Sequence, residues 1–268
     1  MKDLFIFQPF NLVALACLGI AVAFLLLCWL FWKDKDKEKR RIFIVVLYSL
    51  AFVFFFVYKY WLSIDAEYAV ICEEADKGGF RWLSELPLQL CNINLILIPV
   101  SLLTKKKPLQ AFCFFLGPIG AAMALTMPAV GFYDCSILLP RMLGYYITHY
   151  LVLIGGPMMC LLGFFRPKFK DFPKTLIASF CVLTGVSLIN VILRVTKLNP
   201  YANYFYSMET EGNPILELLH SLIPYPYFYM LPLIVILVTY MTLVTLPFAI
   251  ADKKRKAKEK AEEAEAKA

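Results

Sequence analysis

The chain has 268 residues, 60% of them hydrophobic and 16% aromatic, with a mean hydropathy of +0.68 and a net charge of +7. Soluble domains sit near about 45–50% apolar, and no polar stretch here exceeds roughly thirty residues, too few to build a core, so a soluble fold is excluded. The positive charge is spread over the ends of apolar blocks rather than gathered on one surface, which excludes nucleic acid as the partner and leaves membrane lipid.

The first apolar block is 10–32. Its only preceding basic residue is Lys2, beside Asp3, so a cleavable signal peptide is not expected. "ALAC" at 14–17 resembles a lipoprotein cleavage site, but a long apolar run follows Cys17 where a lipoprotein would have a polar tether. A basic loop, Lys33 to Arg41, leads into the second block, 42–63, which carries Lys59 one turn from its end. Loop 64–83 is acidic, with Asp65, Glu67 and Asp76.

The third block, 84–103, holds Gln89, Cys91, Asn92 and Asn94 within six positions. Polar groups inside a span are costly unless they have partners or a task. Lys105, Lys106 and Lys107 separate it from the fourth block, 109–127, where Gly117, Pro118 and Gly120 permit close packing or a kink. Loop 128–143 follows, then the fifth block, 144–164, with Tyr145, Tyr146 and His149. Basic residues from Arg166 to Lys174 precede the sixth block, 175–195, in which Ser187, Asn190 and Arg194 share a helical face. Loop 196–225 is rich in aromatics and proline, and "NPILELLHSL", 213–222, predicts a short interfacial helix able to cover a cavity. The seventh block is 226–250, and the Lys/Glu/Ala tail extends that helix or frays.

Each block is near the ~20 residues that cross the hydrocarbon. Twenty of the 27 basic residues lie in alternate connections and in the tail. The expected fold is therefore an all-α bundle of seven spans, N-terminus out and C-terminus in. Residues 1–252 form the membrane domain and 253–268 a charged cytoplasmic tail. The expected location is the cell membrane.

Counted from those span ends at 1.5 Å per residue, Cys91 lies about 10 Å and His149 about 8 Å inside the membrane. Asn190 and Lys59 fall at similar levels, about 8 and 6 Å. Four helices thus bring polar groups to one layer of the outer leaflet, which predicts a cavity lined by the second, third, fifth and sixth spans. Its expected lining is Lys59, Cys91, Asn92, Asn94, Tyr145, Tyr146, His149, Asn190 and Arg194. Each has a plainer role: Asn joining helices, Lys59 and Arg194 snorkelling, Cys91 packing as a small apolar residue.

A cysteine and a histidine at one depth have a chemistry. The thiolate is the nucleophile, an apolar setting disfavours it, and an imidazole can take its proton. The imidazole needs an orienting group; with no acid deep in any span, this falls to Asn190, a tyrosine hydroxyl or a backbone carbonyl. An Asn amide or Lys59 can support an oxyanion. No cofactor or metal is called for, since no Cys/His spacing suggests one. Cys72 and Cys135 both fall in outer loops, where a disulfide and two free thiols are equally open.

"LPLQLCNIN" at 86–94, "YYITHY" around His149 and "PYPYFYMLPL" at 224–233 resemble the YwaF-like integral membrane proteins, whose eukaryotic relative is transmembrane protein 164. The resemblance covers most of the chain. It implies phospholipid acyl transfer by a cysteine and a histidine, with Cys91 as nucleophile and His149 as base. It extends distantly to the androgen-induced lipid hydrolases, which use threonine and histidine, so transfer and hydrolysis both stay open. The alternative is a non-enzymatic transporter, receptor-like or accessory protein that binds a small ligand in the same cavity. Acidic residues deep in spans or paired broken-helix repeats would favour transport, and the sequence displays neither.

Overall fold

The computed structural model describes residues 5–74 and 80–265. Lys2, Asp3, Asp76, Lys77 and Lys267, which enter the charge pattern, lie outside the described residues. Each apolar block forms a helix: α1 (Leu12–Trp32), α2 (Lys37–Ser63), α4 (Leu90–Thr104), α5 (Lys107–Thr126), α6 (Pro140–Leu161), α7 (Phe172–Val195) and α9 (Leu233–Glu265). Two short helices, α3 (Ala66–Glu74) and α8 (Pro214–Leu222), lie in the connections, the latter where the sequence predicts one. A two-stranded antiparallel ribbon pairs β1 (Ile6–Phe7) with β2 (Cys135–Ser136).

Five helices are long and apolar enough to cross a bilayer: α1, α2, α5, α7 with its leading turn, and α9. α4 is apolar but only 15 residues long. α6 has 22 residues, and Arg141, His149 and three tyrosines dilute its hydropathy. Within the described residues the tail extends the last helix, for α9 runs unbroken through Lys253 to Glu265.

The ends are set by local chemistry. The Asn11 side chain caps α1 at the Ala14 amide, and Asp36 caps α2 at Lys39, each at 2.9 Å. Proline opens α5, α6, α7 and α8, where its missing N–H costs nothing.

The greatest departure from the sequence reading is α4, which begins at Leu90 rather than near Ser84. Pro87 disfavours helix at Leu86, Trp82–Ser84 makes a separate 3-10 turn, and Gln89 is extended at φ −72°, ψ 151°. Glu85 already contacts Lys59, a turn inside the end of α2, so α4 starts within the bundle. Cys91 is then the second residue of a helix and not seven residues deep in one.

α5 is the central helix. The whole run from Gln110 to Gly117 is buried, and its main neighbours are α6, α4 and α7. Its most apolar stretch is 56% buried, against 17% for α1 and 11% for α9. The outward faces of α1, α7 and α9 are apolar and exposed, as lipid contact requires. Close approach between α5 and α6 is allowed by Gly156, where a Cβ would lie 2.8 Å from the Phe114 carbonyl. The basic end of the bundle is filled by rings: Phe114 meets Phe115 at 5.0 Å and Phe165 at 5.2 Å, and Phe115 meets Phe172 at 5.8 Å.

Ion pairs tie both ends. At the basic end Arg166 binds Asp252 at 2.8 Å, and Arg40 donates to the Leu162 carbonyl at 2.9 Å. At the loop-rich end the Arg141 side chain is 1% exposed and reaches Asp65 at 3.1 Å and Glu67 at 2.9 Å. Its Nε also donates to the Gly131 carbonyl at 3.2 Å. Cys72 and Cys135 are not joined in a disulfide, and Cys135 Sγ lies 3.5 Å from Arg141 Nη2.

Candidate functional site

A cavity of about 430 Å³ opens at the loop-rich end. Cys91 and Asn92 line it from the first turn of α4, Tyr145, Thr148 and His149 from α6, and Tyr58 and Lys59 from α2. The predicted helices are not its only walls. α5 contributes Leu116, Ile119 and Met123, and α9 contributes Leu233, Ile234 and Leu237. α7 contributes Leu176, Ser179, Phe180 and Leu183, from its lower and middle turns rather than from the Asn190 level. The walls are therefore mainly apolar, with polar groups gathered on one side.

His149 has a defined tautomer. Its Nδ1 lies 2.7 Å from the Tyr145 carbonyl, which can only accept, so Nδ1 carries the proton. That leaves Nε2 with its lone pair and no hydrogen bond among the described residues. Tyr145 stacks on the imidazole at 4.1 Å, and its own hydroxyl donates to the Ala124 carbonyl at 2.9 Å. The orienting group is thus a backbone carbonyl, one of the three expected kinds.

Cys91 Sγ is 3.8 Å from Asn92 Oδ1. The N–H groups of Leu90, Cys91 and Asn92 precede the first bond of α4, from Ile93 N to the Gln89 carbonyl at 2.9 Å. These are the donors that a helix start leaves without a partner in the helix. The polar cluster "QLCNIN" is therefore largely a helix N-terminus set inside the bundle.

Lys59 does not snorkel. Its ammonium is 2.5 Å from Glu85 and 4.7 Å from the centre of the Tyr58 ring. Glu85, Gln89 and Tyr206 also line the cavity, and the sequence reading did not single them out as site residues. For Glu85 a signal was present, since it stands at the start of the third block and Lys59 one turn inside the end of the second, which puts the two at one membrane level.

Four expected site residues stand elsewhere. Asn94 is fully buried, donates to the Leu90 carbonyl of its own helix at 2.8 Å, and abuts α5 at Gly117. Tyr146 packs on Phe7 with ring centres 3.8 Å apart, and its hydroxyl donates to the Phe132 carbonyl. Asn190 holds the loop after α7: it donates to the Tyr204 carbonyl at 2.8 Å and Ser207 Oγ at 3.0 Å, and accepts from Tyr204 N at 2.9 Å. Arg194 donates to the Ala202 carbonyl at 2.7 Å and pairs with Glu209 at 2.8 Å. Asn190 and Arg194 do share a face, as expected, but their partner is this loop and not the cavity.

The loop they hold forms the roof. Tyr204, Phe205 and Tyr206 line the cavity, and Phe205 N donates to Gln89 Oε1 at 2.8 Å. Tyr204 bonds the Leu83 carbonyl and Tyr229 the Tyr206 carbonyl. Phe205 and Tyr206 have φ of 60° and 54°, a conformation costly for side-chain-bearing residues and held only by such surroundings. Burial pushes the Tyr204 phenol up to about 12 and raises that of Tyr206, so both stay neutral donors at physiological pH. Leu216 of α8 also reaches the cavity wall, as the predicted interfacial helix would.

No curated protein and no solved structure matches the chain. The model of the TMEM164 family does match, over residues 6–245, a range that takes in every residue lining the cavity. This multi-pass membrane chain, with its cavity of cysteine, histidine and lysine under an aromatic roof, belongs to the TMEM164 family.

Proposed function

We propose that the protein catalyses acyl transfer or acyl hydrolysis on a membrane lipid, through a thioester on Cys91. His149 Nε2 takes the thiol proton. The thiolate attacks the ester carbonyl carbon, a C–S bond forms, and the carbonyl pair moves onto oxygen. Collapse breaks the C–O bond, and His149 returns the proton to the leaving alkoxide. A second hydroxyl, from another lipid or from water, then gives its proton to His149 and attacks the thioester, releasing Cys91. The N–H groups of the α4 first turn, which have no partner within the helix, and the Asn92 amide are the supports offered to the oxyanion. Lys59 and Tyr145 border the reacting lipid, Lys59 on the head-group side.

One observation carries this reading. Cys91 and His149 line the same cavity, and the imidazole is fixed with its lone-pair nitrogen free. The apolar walls from α5, α7 and α9 suit an acyl chain. α9 is the least buried of the spanning candidates, and its contact with α7 is slight, which favours lateral access between them.

The same proposal takes α4 and α6 as spans, giving seven with the N-terminus outside. Three features support it. The basic residues alternate, the irregular segment before α4 is half-buried from Ser84 to Gln89 and lines the cavity, and the polar face of α6 turns to the cavity. Residues 1–252 then form the membrane domain and 253–268 the cytoplasmic tail.

The test is to incubate the full chain in liposomes with a phospholipid carrying an alkynyl acyl chain. The expected result is a hydroxylamine-labile label on Cys91 that is absent in Cys91→Ala. His149→Gln should slow labelling about 10²-fold or more by removing the base. Equal labelling of Cys113 and Cys160, or none with the lipid still bound, would leave the cavity a binding site without chemistry.

A further inference from the structure

We infer that the basic end of the bundle carries a second lipid site, a groove between α1 and α2 that binds an anionic phospholipid. The inference is independent of the acyl-transfer reading and concerns the end of the molecule away from the cavity mouth.

The groove has a volume of about 440 Å³. Trp32, the last residue of α1, forms one side, and Lys39, Phe43, Val46, Leu47 and Leu50 of α2 form the other. The α2 residues recur at helical spacing and make one stripe, about 16 Å long from Lys39 to Leu50 at 1.5 Å per residue. The stripe is open because the two helices part. The main neighbour of α1 is α6, and those of α2 are α4 and α6. Only beside the connecting turn is the wedge closed, where Trp32 stacks on Phe43 with ring centres 4.5 Å apart and 15° between planes. Val46 and Leu50 are left exposed. An extended apolar stripe at membrane depth, walled by an aromatic ring, fits one acyl chain lying along α2.

The charge at its end selects the head group. Lys39 is the charged residue of the lining, and the turn that joins the helices adds Lys33, Lys35 and Lys37, all exposed. Lys35 and Lys37 hold no ion pair among the described residues. The neighbouring acids are partly engaged: Asp36 caps α2 and meets Lys39 at 3.5 Å, and Glu38 bonds Arg41. With Glu38 set against Arg41, four lysines less Asp34 and Asp36 leave two positive charges at the mouth. At about fivefold in binding per charge near an anionic head group, the preference over a zwitterionic lipid comes to about 25-fold. One molecule meets both features, its chain in the groove and its phosphate among the lysines.

The test uses the full chain with Trp29, Trp61 and Trp82 replaced by Phe, so that Trp32 in the groove is the one tryptophan left. It is reconstituted in vesicles of phosphatidylglycerol and phosphatidylcholine in equal amounts, with brominated acyl chains on one lipid or the other. Brominated phosphatidylglycerol should quench Trp32 with about 25-fold higher relative affinity. The triple change Lys35→Gln, Lys37→Gln, Lys39→Gln should abolish the preference. Equal quenching by the two lipids overturns the proposal and leaves the groove to ordinary surrounding lipid. So does an equal loss in the control Lys105→Gln, Lys106→Gln, Lys107→Gln, whose lysines lie at the same end but do not line the groove. A second measurement keeps all four tryptophans. In native mass spectrometry with phosphatidylglycerol, Val46→Trp, which fills the groove and leaves the lysines, should retain one lipid fewer than the wild type; an equal number also overturns the assignment.

Discussion

Replacing Asn190 with alanine asks whether this residue serves the roof or the substrate. The side chain makes three hydrogen bonds, at 2.8, 3.0 and 2.9 Å, and is fully buried. At about 0.5–1.5 kcal/mol each, their loss amounts to about 2–4 kcal/mol. The roof also stores strain, because the two positive-φ residues cost roughly 1–2 kcal/mol apiece and relax once the clamp goes. Hydrogen exchange of segment 199–207 in detergent reads the effect directly. At about 1.4 kcal/mol per factor of ten, the Tyr204 amide should open roughly 30- to 10³-fold more often. Ser187→Ala is the control, since its hydroxyl bonds only the Leu183 carbonyl of its own helix and should change stability by less than about 0.5 kcal/mol. Unchanged protection across 199–207 in Asn190→Ala would refute the clamp and return Asn190 to the candidates for substrate contact.

Two further outcomes follow from packing. Arg141→Lys keeps the charge but cannot bond Gly131, Asp65 and Glu67 together, so a loss of about 1.5–3 kcal/mol is expected; a melting temperature equal to wild type would show the ion cluster to be idle. Gly156→Ala meets the Phe114 backbone, which cannot swing aside as a side chain can, so about 1–3 kcal/mol should be lost by overpacking, and thermal unfolding at matched detergent concentration checks it.

The helices were legible because each apolar block is bounded by charge or proline. The starts were less so, and the depth arithmetic depended on them. Counting from Ser84 set Cys91 seven residues down a helix that begins at Leu90. Cys91 and His149 nonetheless line one cavity, because the segment before α4 descends into the bundle. That descent is set by Pro87 and by the Lys59–Glu85 contact, which hydropathy does not register. Helical spacing correctly grouped Asn190 with Arg194, but their partner is a loop whose path is decided by tertiary bonds. Asn94 was expected in the cavity lining with Cys91, yet it turns back on its own helix against Gly117. Spacing says which residues can share a direction, not what waits there. Arg141 falls within the expected loop 128–143 but sits in the first turn of α6, and the acids that pair with it are more than seventy residues away in sequence.

The ring-packed basic end gives the cavity a floor. Phe114, Phe115, Phe165 and Phe172 pack against one another at the end away from the loop-rich mouth, so on the proposed reading the mouth and the gap beside α9 serve for entry and exit alike. On the acyl-transfer reading proposed above, a product occupies the place of the next substrate until it diffuses back into the bilayer, and turnover becomes sensitive to product accumulating there.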